Sequence, residues 1–93
     1  MQIDQKDDGK KGMFYVQKDG KVVAEMDYVW AGDQRIIIDH TQIDESLRGQ
    51  NVGKQLLHQL VLFAREKQVK ILPLCPFAKS VFERTSEYND VLF

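Results

Sequence analysis

Residues 46–57 read SLRGQNVGKQLL, and how this stretch is read decides the fold. The run Arg35 to Ile43 (RIIIDHTQI) that precedes it looks like a strand, and a helical period of leucines follows it. Arg48, Gly49, Asn51 and Gly53 lie at the junction. A strand, a glycine-bearing turn and a helix start leave main-chain N–H groups free at the positive end of a helix dipole. Such a corner suits an anion, with Arg48 and Lys54 adding charge on either side and Gly49 and Gly53 allowing close approach. It is also how many proteins simply turn from strand to helix, and spacing alone leaves both readings open. The lysine and Ser/Thr of a P-loop are misplaced here, and the third glycine of a Rossmann fingerprint is absent.

The pattern on either side predicts the elements. After the corner, Gly53, Leu56, Leu57, Leu60, Phe63 and Ala64 fall on one face at 100° per residue, with Lys54, His58 and Arg65 opposite, so a helix is expected over 54–67. Before it, MFYVQ, KDGK and VVAEMDYVW predict a hairpin, because Asp19-Gly20 suits the primed turns that match strand twist. Period-two alternation puts Val22, Ala24, Met26, Tyr28 and Trp30 on one face and Glu25 and Asp27 on the other. The opening MQIDQKDDGKKG predicts a short first strand ending in an Asp8-Gly9 turn, and the apolar run of RIIIDHTQI predicts a central strand. VKILPLC predicts a further strand whose pairing stops at Pro73, which has no N–H for a ladder. Pro76 then suits the first turn of a second helix, with Phe77, Val81 and Tyr88 on one face. Strands, helix, strand, helix is an α+β order: a mixed, mostly antiparallel sheet with two helices.

Length and charge bound the function. The chain has 93 residues, 43% hydrophobic and 29% charged, which predicts a single domain, 1–93, with a modest core. A formal net charge of −1 disfavours sequence-independent nucleic-acid binding and attraction to an anionic membrane. Cys75 is the one cysteine, so no internal disulfide is expected, and nothing reads as a secretory signal or membrane span; a cytoplasmic setting follows as the expectation. No group of His, Cys and carboxylates has metal-ligand spacing, and no metal is expected.

The whole segment IIIDHTQIDESLRGQNVGKQLLHQLVLFAREKQVKILPLCPF resembles the GNAT acetyltransferase superfamily, in its very small branch that lacks the two early helices and carries a cysteine after the penultimate strand. The superfamily motif, Arg or Gln, two residues, Gly, one residue, Gly or Ala, falls on Arg48, Asn51 and Gly53, with Asn51 where the first glycine is usual. Asn tolerates the left-handed region better than most residues, so the turn survives the exchange. DHTQID, LRG and LCPFAKSVFER carry the resemblance as well. It implies a minimal GNAT-like fold and an N-acetyltransferase that takes an acetyl group from acetyl-CoA to an amine acceptor, a small molecule or a protein. It further implies a pyrophosphate held by Gly49, Gln50, Asn51, Val52, Gly53 and Lys54 beside Arg48. Pantetheine would lie where two strands splay, against the main chain of Thr41, Gln42 and Ile43, in keeping with Pro73.

Cys75 and His40 are the candidates for chemistry. A thiol just before Pro76 stands at a helix start, where the dipole favours a thiolate nucleophile; a small hydrophobe packed at a strand end is the alternative. His40 interrupts an apolar strand, and its imidazole is suited to take a proton from an amine; a buried, singly hydrogen-bonded ring is the alternative there. Phe77, Lys79 and Phe82 follow the cysteine, and the resemblance puts them near the far side of the cofactor. His58, Asp44 and Glu45 read as surface residues. Direct attack by an amine with His40 as base, and a two-step route through acetylated Cys75, both remain open, as does a non-catalytic module that binds CoA, acyl-CoA or a partner protein.

Overall fold

Five strands pair in the order β1-β2-β3-β4-β5 in a computed structural model that describes residues 1–93: β1 (Asp4–Asp7), β2 (Lys11–Lys18), β3 (Lys21–Trp30), β4 (Arg35–Ile43) and β5 (Lys70–Pro73). The first four run antiparallel; β5 joins β4 in parallel, which requires the crossover supplied by helix α1 (Val52–Lys67). Helix α2 (Pro76–Arg84) follows β5 at once. The sheet is therefore mixed and mostly antiparallel, with two α-helices, as the sequence pattern predicts. The β2–β3 hairpin turns on Asp19 and Gly20, both at positive φ (53° and 78°), the geometry that keeps twisted strands in register.

One face of the sheet and both helices enclose the core, in which Met26, Tyr28, Ile36, Ile38, Leu56, Leu57, Leu60 and Ile71 are fully buried. Helix α1 buries Val52, Gly53, Leu56, Leu57, Leu60, Val61 and Ala64, and starts two residues before the predicted Lys54. Leu62 stays 42% exposed on its outer side. Phe63 forms an aromatic cluster with Phe14, Tyr28 and Trp30, ring centroids 5.9–6.2 Å apart. No helix is long and apolar enough to cross a membrane.

Three expectations about the elements are corrected. Val16 pairs with Ala24 but Gln17 with Val22, so Val23 is an extra residue on β3; this bulge turns Val22 off the face of Ala24, Met26 and Tyr28, and Val23 packs on the core instead. The second helix does not continue to Tyr88: Thr85 (φ −131°, ψ 82°) ends it, and Tyr88 sits in a separate 3-10 segment, Ser86–Val91. Its buried face is accordingly Ala78, Val81 and Phe82, and Phe77 is 36% exposed. Finally, pairing with β4 does stop at Pro73 as expected, but Pro73 does not turn its missing N–H toward β4, so the reason differs. Leu74 donates to the Ile38 carbonyl (3.0 Å) and Phe93 to that of Ile71 (2.8 Å), so alternation points Ile71 and Pro73 away from β4, toward the C-terminal residues.

Candidate functional site

The ladder between β4 and β5 ends at the pair Ile38–Pro73. Beyond it the Ile38 carbonyl accepts from both Leu74 and Cys75 (3.0 Å each), and the chain turns into α2 while β4 continues to Ile43 on β3. Asp39 is the extra residue in this second half of β4, since Asp27 pairs with His40 but Tyr28 with Ile38. Past the bulge, Asp44 donates to the Val23 carbonyl (2.8 Å), and counting back by twos puts the main chain of Gln42 and His40 on the β3 side. Thr41 and Ile43 therefore present their N–H and C=O groups to the wedge that β5 has vacated. The wedge arises because the chain leaves β5 for α2, and the proline is incidental to it.

At the mouth of this wedge the corner that opened the sequence takes shape. Asp44 caps a 3-10 turn, Glu45–Leu47, through a hydrogen bond from the Ser46 N–H (2.9 Å); Gly49 follows at φ +85°. Asn51 stands at the N-cap of α1 in the left-handed region (φ 56°, ψ 31°), and its side chain makes no capping bond. The first helical bond is Gln55 N–H to Asn51 C=O, 3.1 Å. The N–H groups of Gly49, Asn51, Val52, Gly53 and Lys54 thus have no acceptor within the protein, an arc of donors at the positive end of a 16-residue helix. Gly53 is needed for a different reason than ligand approach: a Cβ there would lie 2.7 Å from the Phe77 ring, which rests on the first turn of α1.

Other expected site residues are distributed as follows. Cys75 is the N-cap of α2, 6% exposed, with Sγ 3.1 Å from Thr41 Oγ1. Thr41 pairs with Met26 and points to the core side, whereas His40 pairs with Asp27 on the outer face. There His40 is exposed, with Nε2 3.4 Å from Gln42 Oε1. Cys75 and His40 therefore lie on opposite faces of the sheet. Arg48 is exposed and paired with Glu45 (3.7 Å); Lys54 is exposed and has no carboxylate partner. Phe77 joins the corner through Gly53. Lys79 lines a separate groove with Leu74, Leu92 and Phe93, and Phe82 is buried edge-to-face against Tyr88 (5.9 Å). Those two sit apart from the corner.

Sequence reasoning missed Asp27. Desolvation, then proton sharing with and repulsion from Glu25, pushes its carboxyl up to about 7 against the pull of His40. One of its oxygens is buried without a hydrogen-bond partner. The signal was present in the alternation of AEMDYVW, where Glu25 and Asp27 share one strand face, but the neighbouring Asp39 and His40 arrive only through tertiary pairing.

The comparisons with known proteins bear on the family and the fold. The family model of the GCN5-related N-acetyl-transferases matches residues 13–91. A GCN5-like protein from Staphylococcus aureus has 37% sequence identity and a TM-score of 0.75, with 97% of this chain and 87% of that one covered. More distant solved structures share the fold. A ribosomal-protein-alanine N-acetyltransferase from Brucella melitensis has 18% identity, a TM-score of 0.66 and covers 83% of this chain and 62% of its own. A GNAT family acetyltransferase from Elizabethkingia anophelis with acetyl-CoA bound has 14% identity, a TM-score of 0.62 and covers 81% of this chain and 52% of its own. No curated protein matches the chain significantly. The chain belongs to the GCN5-related N-acetyltransferase family.

Proposed function

We propose that the chain is an acetyl-CoA-dependent N-acetyltransferase that passes the acetyl group to an amine, of a small molecule or a protein, through Cys75. One observation carries the reading: two sets of unpaired main-chain groups adjoin, the strand edge at Thr41 and Ile43 and the N–H arc of residues 49–54. The first suits the amides of a pantetheine arm, the second a diphosphate. Acetyl-CoA combines the two, and the acetyl-CoA named with the Elizabethkingia relative supports it as cosubstrate.

Cys75 then stands where the strands part. Its thiolate attacks the thioester carbonyl; a C–S bond to Cys75 forms, the C–S bond to CoA breaks, and CoA leaves as a thiolate that takes up the proton Cys75 gave up. The free-base amine attacks acetyl-Cys75, the C–N bond forms, the C–S bond breaks, and the amine proton passes to the departing sulfur. The Thr41 hydroxyl, 3.1 Å from Sγ, is the donor available to that sulfur, and cleft-facing N–H groups polarise the carbonyl oxygen. A free thiol in this role fits a reducing, cytoplasmic setting.

Intact mass after incubation with acetyl-CoA tests the covalent step. Wild type gains one acetyl group that Cys75→Ala and Cys75→Ser lack, and both variants lose amine-dependent thiol release while keeping CoA affinity within a few-fold. Variants that keep turnover, together with its loss in His40→Ala, would replace this route by direct attack with His40 as base. A second reading, a CoA-binding module without turnover, draws on the outer face of the sheet, which neither helix covers. CoA binding by calorimetry without thiol release across an amine panel would favour it.

A further inference from the structure

Between the start of α1 and the end of α2 lies a small cavity of about 200 Å³ lined by Lys54, Val81, Arg84, Thr85 and Tyr88. Its two cations are unpaired: the chain's ion pairs are Arg48–Glu45 and Arg65–Asp90. Arg84 Nε donates to the Ser80 carbonyl (3.2 Å), which fixes the root of the guanidinium and leaves its terminal nitrogens free. Val81 forms an apolar wall, and the hydroxyls of Thr85 and Tyr88 complete the polar lining. Tyr88 is held by His58 (2.9 Å), and the segment carrying it is pinned by Arg65, which binds Asp90 through Nε (2.9 Å) and the Glu87 carbonyl through Nη2 (2.9 Å). The carboxylate of Asp90 is thereby occupied, and Glu83 opens into the groove on the other side of α2.

We infer that this cavity is a second anion site, in which Lys54 and Arg84 receive the 3′-phosphate of CoA. Resting on the cosubstrate reading above, the inference adds a contact that reading does not require. A guanidinium fork, an ammonium and two hydroxyls on one small cavity match a phosphate monoester dianion. Lys54 ties the cavity to the arc: its main-chain N–H belongs to the unpaired donors, while its side chain reaches into the cavity. Lys54 is thus common to the arc and the cavity, and a single ribose separates the two phosphate groups of CoA. The chain then selects the complete coenzyme over its 3′-dephospho form, although the transferred acetyl group is the same on both.

Calorimetry with CoA and with 3′-dephospho-CoA, on wild type, Arg84→Gln and Arg84→Lys, tests this. Wild type is expected to bind CoA about tenfold more tightly than dephospho-CoA, a preference that shrinks as salt rises. Arg84→Gln narrows the ratio to roughly threefold or less by weakening CoA alone, and Arg84→Lys, which keeps the charge without the fork, falls between. Equal affinity of wild type for the two ligands overturns the 3′-phosphate site and leaves the cosubstrate reading standing. An Arg84→Gln loss shared equally by both ligands overturns it too, since the arginine would then act on something common to both. Failure of wild type to bind either ligand overturns both readings together.

Discussion

The two flanks of the sheet solve opposite problems. On the β1–β3 flank the polar groups close on one another: the Tyr28 hydroxyl donates to Asp7 (2.7 Å) and accepts from Gln5 (2.9 Å), Trp30 donates to the same Asp7 oxygen (3.0 Å), and Phe63 seals the rings from above. Burial alone would raise the Asp7 carboxyl, yet the bonds from Tyr28, Gly9 and Trp30 hold it below the ordinary range. On the β4–β5 flank the strands part after Ile38, five N–H groups of residues 49–54 have no acceptor, and Asn51 holds a left-handed conformation. One flank spends its polar groups on its own stability; the other keeps them available. Solvent stabilises such groups until a ligand displaces it, so the open flank is feasible only at the surface.

This division predicts that substitutions separate by flank. Tyr28→Ala, which empties the largest fully buried side chain, should cost about 3–5 kcal/mol in urea unfolding, while the folded fraction keeps wild-type CoA affinity. An affinity loss in that folded fraction would break the division. Gly12→Ala should cost about 1–3 kcal/mol, because its Cβ would press on the Lys6 carbonyl and the Tyr28 ring; a neutral effect would mean that β1 is free to shift.

Between the flanks, Asp27 gives a pH test. Its carboxyl is raised to about 7 in the folded protein, so the folded state holds a proton that the unfolded state, with an ordinary pKa of about 3.9, has released. Stability is greatest below the unfolded value and falls as pH rises through 7. Asp27→Asn should therefore be nearly neutral at pH 4 and stabilising by about 1 kcal/mol at pH 8, after allowance for solvent screening. A gain that is equal at both pH values would assign the effect to packing. The smallest effect is expected on the open flank: Asn51→Gly relieves left-handed backbone by about 0.5 kcal/mol or less in stability, with CoA affinity held or modestly tightened. Marked weakening would show that the Asn51 amide itself contacts the ligand.

Much of this was legible in the sequence wherever the cause is local. The Asp19-Gly20 hairpin, the helical face from Gly53 to Ala64 and the corner at Arg48–Lys54 follow from residue type and spacing, and the structure has each. The bulges at Val23 and Asp39 were not legible, because an extra residue is defined only against the strand it faces. Helix α2 stops at Arg84 without glycine or proline to mark it. The packing needs of Gly12 and Gly53 come from rings distant in the chain, Tyr28 and Phe77, which no local pattern brings together. For the site, the family resemblance put the main chain of Thr41–Ile43 and the corner on one cofactor, but residue spacing could not tell that Cys75 meets Thr41 or that His40 turns to the other face, since a one-residue bulge reverses sides.

The donors facing the wedge and the corner are main-chain atoms, and this has an evolutionary consequence. Mutation can alter the charge, size or shape of any side chain from Gly49 to Lys54, yet nineteen of the twenty genetically encoded residues retain the N–H that the ligand would meet; proline alone deletes it. Inheritance of such a site depends on preserving the path of the backbone, for which the Gly53–Phe77 contact and the forked bond at the Ile38 carbonyl are the guides. Apart from Gly49 at φ +85° and Gly53 against Phe77, a lineage can thus change the side chains of this corner and still hand on its hydrogen-bond donors.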